Sequence, residues 1–201
     1  MRRLLPFLKT LPREIDRIKL ISYERGFSSI DLSCQDESRL GLMTKQKKVL
    51  VKKGVAPINN YQHSYSYVWL WGIFSMKTGK SFYWETPIVN NLIFEDYLEA
   101  YSQIDPEVFK IVIIDNAGFH STKNIKIPHN VYLLRIPPYS PELNPAEKMW
   151  QWIKDKTAMK FFTSLEDLQN KITEIINNTT IENVKSITQY PIYKNVLSGN
   201  F

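Results

Sequence analysis

The chain has 201 residues, with 26 Lys and Arg against 20 Asp and Glu, and a single cysteine. That length holds one domain, or a domain with a small appendage, and 43% hydrophobic residues are enough for a sizeable core. Cys34 alone excludes an internal disulfide and a cysteine-built zinc site, and no apolar run approaches the ~20 residues of a bilayer span. The net charge of +6 allows nucleic-acid binding without demanding it.

The first nine residues imitate a secretory signal, but their apolar part is short and broken by Pro6 and Lys9. A soluble cytoplasmic protein is therefore expected. Leu11, Ile15, Ile18 and Ile21 recur at helical spacing and predict a short amphipathic helix over 11–23, ended by Gly26. Residues 1–26 read as a helical lead-in. From Ser29 to Gln35 the pattern alternates as a strand does. Ile30, Leu32, Cys34 and Asp36 share one face, and Asp31, Ser33, Gln35 and Glu37 the other. Asp36 thus lies on the apolar side, where an unpartnered carboxylate is costly. A bound metal, pairing with Arg39 or exit into solvent would each relieve that cost. Glu37 points the other way and is the weaker ligand candidate.

Lys45, Lys47, Lys48, Lys52 and Lys53 surround Val49-Leu50-Val51, read as a strand with a basic rim. Lysines protect edge strands from pairing, and the same five residues are candidates for contact with a nucleic-acid backbone. Tyr65 to Met76 is expected to be a long central strand. Lys77-Thr78-Gly79-Lys80 turns it into Ser81–Glu85, an antiparallel hairpin. The stripe of Tyr65, Tyr67, Trp69 and Trp71 is assigned to core packing rather than base stacking. Residues 90–103 read as a helix with Leu92, Ile93, Tyr97 and Leu98 inward.

Ile111-Val112-Ile113-Ile114 has the composition of a parallel strand buried on both faces. Asp115 ends it, at the end of a strand where open α/β sheets build their sites. A short helix is expected next, then a strand from Val131 to Ile136. The proline-rich turn after it launches a long helix. Asn144 is placed as its N-cap, Pro145 at the first helical position and Glu147 as a capping-box glutamate. A carboxylate in a first helical turn can also face a site. Ser164 with Asp167 announces another helix with a stripe of Leu165, Leu168, Ile172, Ile175 and Ile176, and a last helix is expected over 180–186. The order predicts an α/β fold, a mixed sheet flanked by helices, with a core over 27–160 and C-terminal helices over 161–201 packed on it.

Two stretches carry chemistry. One is Asp115-Asn116-Ala117-Gly118-Phe119-His120. The other is Pro137-Pro138-Tyr139-Ser140-Pro141-Glu142-Leu143-Asn144-Pro145-Ala146-Glu147-Lys148-Met149-Trp150. This pairing resembles the catalytic core of the mariner-like insertion-sequence transposases of the DDE endonuclease superfamily. The separation of Asp115 and Glu147 is similar to that family's, and Gln35-Asp36-Glu37-Ser38-Arg39-Leu40-Gly41 matches its third motif. The resemblance runs from about residue 10 to residue 180 and implies a ribonuclease-H-like fold, which the element order alone does not single out.

The resemblance further implies that Asp36, Asp115 and Glu147 are the catalytic, metal-binding triad. They would hold two Mg²⁺ ions, with Mn²⁺ as a substitute, and Asp36 would bridge the pair. A pair of such ions can activate water and stabilise the leaving oxygen in phosphodiester cleavage, and hard cations prefer oxygen ligands. Three carboxylates held close without metal repel, so at least one is expected to hold its proton more tightly. The implied reaction is cleavage at element ends, then attack of the freed 3′ hydroxyl on target DNA. Asn116 and His120 either contact the substrate or order the loop.

Double-stranded DNA is the implied partner, with a homodimer possible. The family's helix-turn-helix segments precede its core, and the short helix near residue 15 is too little to replace them. An upstream helix-turn-helix half supplied separately is therefore an expected partner. Two other readings stand beside this one. They are a ribonuclease-H-like nuclease for hybrid or structured nucleic acid, and a truncated remnant that binds DNA or inhibits the full-length enzyme. No Gly-rich phosphate loop, His-Glu-x-x-His or Gly-x-Ser-x-Gly motif competes.

Overall fold

The structure, a computed structural model, describes residues 4–43, 50–54, 56, 62, 64–116 and 125–193. In chain order the elements are α1 (Leu4–Glu24), β1 (Ser29–Gly41), β2 (Tyr67–Ser75), β3 (Ser81–Thr86), α2 (Asn91–Ser102), β4 (Val108–Ile114), β5 (Val131–Arg135), α3 (Ala146–Thr157), α4 (Leu165–Asn177) and α5 (Ile181–Thr188). A 3₁₀ turn, Pro141–Leu143, precedes α3.

The five strands form one sheet in the order β3-β2-β1-β4-β5. β1 pairs with β2, and β2 with β3, antiparallel. β1 with β4, and β4 with β5, are parallel. Alternation along the strands then divides the interior in two. Leu32, Cys34, Ile111 and Ile113 face a core shared with α1, α3, α4 and α5. Trp71, Ile73, Val112 and Ile114 face α2 on the other side. β4 is buried on both faces for that reason, as its run of isoleucine and valine predicts.

α1 is longer than the predicted helix over 11–23 and contains Pro12. An interior proline costs about 3 kcal/mol. Leu11, Ile15 and Ile18, all buried, contribute roughly 1.5–3 kcal/mol each, so docking outweighs the break. The caps at Asn90, Ser164 and Thr180 each accept a backbone N–H three residues on.

Four other expectations need correction. Leu50 and Val51 lie outside any strand and are exposed, so the described part of the lysine-rimmed segment is a surface connection between β1 and β2. Lys45, Lys47 and Lys48 fall outside the described residues. On α2 the inward side chains are Phe94, Tyr97, Leu98 and Tyr101, while Leu92 is 69% exposed. The larger rings stack against Trp71 and Phe82 and set the helix's rotation. The aromatic stripe is split: Trp71 is fully buried, whereas Tyr65 and Tyr67 are exposed. Finally, β1 is the central strand, and β2 lies next to the edge. Residues 125–130 carry no helix ahead of β5, and the rest of the expected short helix falls outside the described residues.

Candidate active site

β1 outruns its parallel neighbour. The β1–β4 register ends at Cys34↔Ile113, while pairing with β2 continues to Gly41↔Tyr67. Asp36 is therefore inside a strand, not at its end as expected. Carrying the β1–β4 offset two residues further sets Asp36 level with Asp115, where β4 has given way to loop. The sheet loses a neighbour there, and that leaves a notch beside β1.

α3 is brought to this notch by Asn144. Its Nδ2 donates to the Gln35 carbonyl at 2.9 Å, and its Oδ1 accepts from the Ala146 amide at 3.2 Å. Asn144, expected as the N-cap, lies one residue ahead of the observed cap, Pro145, and ties the start of the helix to the strand that carries Asp36. The capping-box role of Glu147 is not taken up, because the Asn144 backbone N–H donates to the Pro141 carbonyl instead. Glu147 is exposed in the first turn of α3. Tyr193 holds the preceding turn from below, its buried hydroxyl donating to the Leu143 carbonyl at 2.8 Å.

The Asp36 carboxyl is pushed well above the usual carboxylate range, first by burial, then by the charges of Glu37 and Glu147 and, more weakly, by Asp115. The Glu37 amide partly opposes this. Asp36 does not pair with Arg39, which lies over the Tyr67 ring with 5.0 Å between guanidinium and centroid. Its Oδ2 accepts instead from the indole N–H of Trp150, at 3.0 Å. Arg135 donates to the Asp115 carbonyl at 3.4 Å. The Asn116 side-chain amide donates to the Ile136 carbonyl and so ties the end of β4 to the end of β5. His120 lies outside the described residues. Lys52 and Lys53 are exposed.

The carboxylates at this notch are hard oxygen donors, and that donor chemistry suits Mg²⁺ or Mn²⁺. Among the described residues, however, no three His, Cys, Asp or Glu side chains are grouped closely enough to hold an ion. The fit is therefore in donor chemistry and charge, not in a closed cage. Beyond the end of β1, Arg39, Lys154 and Lys160 line a cavity of about 290 Å³ together with Tyr65, Tyr67 and Phe162.

Trp150 and Gly72 received no role from the sequence. The signal for Trp150 was its place three residues after Glu147, on the same helix face.

The sheet order, with two parallel strands after an antiparallel hairpin and acidic residues where β4 stops beside β1, is that of a ribonuclease-H-like fold. Residues 31–169 match the family described as DDE superfamily endonuclease. The chain belongs to that family. It is similar to the uncharacterized protein y4pE/y4sA of Sinorhizobium fredii, 30% identical over 104 residues, which are 51% of this chain and 77% of that protein.

Three solved structures share its fold. A pre-cleavage Mos1 transpososome is 15% identical with a TM-score of 0.67, over 100% of this chain and 63% of the other. A mariner Mos1 paired-end complex with Mg is 18% identical with a TM-score of 0.66, over 94% and 58%. A Mos1 transposase paired-end complex with the left transposon end is 19% identical with a TM-score of 0.62, over 88% and 56%. The chain thus spans roughly three-fifths of those transposase chains. No helix among the described residues is long and apolar enough to cross a membrane.

Proposed function

We propose that this chain is the catalytic domain of a transposase, which cuts double-stranded DNA at element ends and joins the freed 3′ hydroxyl to target DNA. What supports this reading is the position of Asp36 on β1, level with the point where Asp115 leaves β4, with the charges of Glu147 and Asp115 both acting on its carboxyl. Family membership and the Mos1 fold support it.

Asp36, Asp115 and Glu147 would hold divalent ions, Mg²⁺ or Mn²⁺. Such ions activate water and stabilise the leaving oxygen of a phosphodiester. The protein's part is to keep three negative donors poised on rigid elements. The Asn144 staple fixes the first turn of α3 against β1. Asn116 and Arg135 order the end of β4. Lys45, Lys47, Lys48, Lys52 and Lys53 supply positive charge for the DNA backbone, and His120 serves either the substrate or its own loop. A homodimer would hold two ends, and a helix-turn-helix segment would recognise them.

The test offers supercoiled plasmid and a 3′-hydroxyl oligonucleotide duplex with Mg²⁺ or Mn²⁺. Nicking of the plasmid and covalent joining of the oligonucleotide are expected. Cleavage of an RNA–DNA hybrid but not of duplex DNA would contradict the transposase reading and favour a hybrid nuclease. No cleavage with either ion would count against catalysis by this chain.

A further inference from the structure

Resting on that reading, we propose that Trp150 is the positioning residue for Asp36, and that Gly72 exists to let it reach. A carboxylate's terminal torsion is broad and nearly two-fold, so an unheld Asp36 would present its oxygens in many orientations. The Trp150 indole N–H donates to Oδ2 at 3.0 Å and so fixes the orientation of the carboxyl. The indole is itself held. It is 1% exposed, and it meets the Phe74 ring edge-on with centroids 5.5 Å apart.

The third part of the device lies on β2. Gly72 is the register partner of Asp36. A Cβ built on Gly72 would come within 2.7 Å of Trp150 Cη2 and 2.5 Å of Phe74 Cζ. Real Cβ atoms do not approach that closely, so any side chain there must push aside the Phe74 ring and the indole packed on it. Strand, ring and carboxylate are thus fitted to one another across three elements. Glu147 lies one helical turn before Trp150, so a single helix face supplies Asp36 with both its neighbouring charge and its hydrogen-bond donor. Groups that orient metal-binding side chains typically carry about 10–100-fold in metal affinity or activity.

The experiment measures equilibrium Mn²⁺ binding from the free-ion electron paramagnetic resonance signal, beside melting and plasmid nicking. Wild type is compared with Trp150→Phe, which keeps a ring against Phe74 and loses the donor, and with Gly72→Ala. Ile172→Ala, in the core but on α4, is the stability control. Both Trp150→Phe and Gly72→Ala are expected to weaken Mn²⁺ binding by about 10-fold or more and to need more metal for half-maximal nicking. Ile172→Ala is expected to melt lower and bind Mn²⁺ as wild type does. Wild-type affinity in a folded Trp150→Phe or Gly72→Ala would overturn the proposal alone. So would an equal loss in Ile172→Ala. A wild-type protein that binds no Mn²⁺ would overturn the metal reading and this proposal together.

Discussion

Asp36 carries a carboxyl whose charged form the fold makes unfavourable. It is partly buried, and Glu37, Glu147 and Asp115 add negative potential. Functional sites commonly keep such groups at the expense of stability. Asp36→Asn removes the charge and keeps an oxygen for the Trp150 N–H. It is expected to raise the melting temperature in metal-free buffer, each kcal/mol gained being worth about 2–4 °C at this chain length. Calorimetry in chelator measures this, and an unchanged or lower value would contradict the electrostatic account.

Lys110 is a buried cation on β4, at the opposite end from Asp115. Its ammonium donates to the Ser102 and Asp105 carbonyls at 3.1 Å. Burial lowers its pKa from 10.5 to about 8, against the opposing pull of Asp105 and Asp31. Between those values the unfolded chain binds the proton more readily than the folded one, so stability should rise with pH through that window. Urea unfolding at pH 7.5 and 9.5 should show a gain in wild type that Lys110→Met lacks.

At the scale of elements, the legible parts were those governed by neighbours in sequence. Ser164 caps α4 as its spacing to Asp167 announces, because capping is a three-residue interaction. The run from Ile111 to Ile114 announced a strand buried on both sides. What sequence periodicity could not show were choices made by tertiary contact. Phe94 and Tyr101, not Leu92, turn inward because Trp71 and Phe82 offer ring partners. β1 runs through Asp36 because β2 continues to pair with it after β4 has stopped. The hydrogen bond from Trp150 to Asp36 joins residues 114 positions apart, and the spacing from Glu147 puts Trp150 on the right helix face without naming its partner. Asn144 was legible as part of the helix start, one residue ahead of the actual cap at Pro145, and illegible as the link to Gln35. Asn144→Ala should cost about 1–3 kcal/mol, because it leaves buried polar groups without partners. A melting temperature within error of wild type would contradict the staple.

For the whole molecule, the sheet places an acidic notch at one end of a chain whose net charge is positive. A binding mode directed at phosphates predicts that DNA affinity falls steeply with salt, log–log, in proportion to the number of phosphates neutralised. Replacing Lys52 and Lys53 by Ala should make that slope shallower by about one for each phosphate that these side chains neutralise. Fluorescence anisotropy with a labelled duplex, from low to moderate salt, measures it. An unchanged slope would remove those two lysines from the DNA-binding surface.

The central claim is that Asp36, Asp115 and Glu147 act together as the catalytic carboxylates. The measurement closest to it is plasmid nicking in Mn²⁺ by wild type beside Asp36→Asn, Asp115→Asn and Glu147→Gln, each shown to be folded by its melting curve. The account predicts that wild type nicks and that each variant loses activity by orders of magnitude while remaining folded. Any of the three nicking at the wild-type rate would contradict the assignment of that residue, and all three doing so would contradict the site.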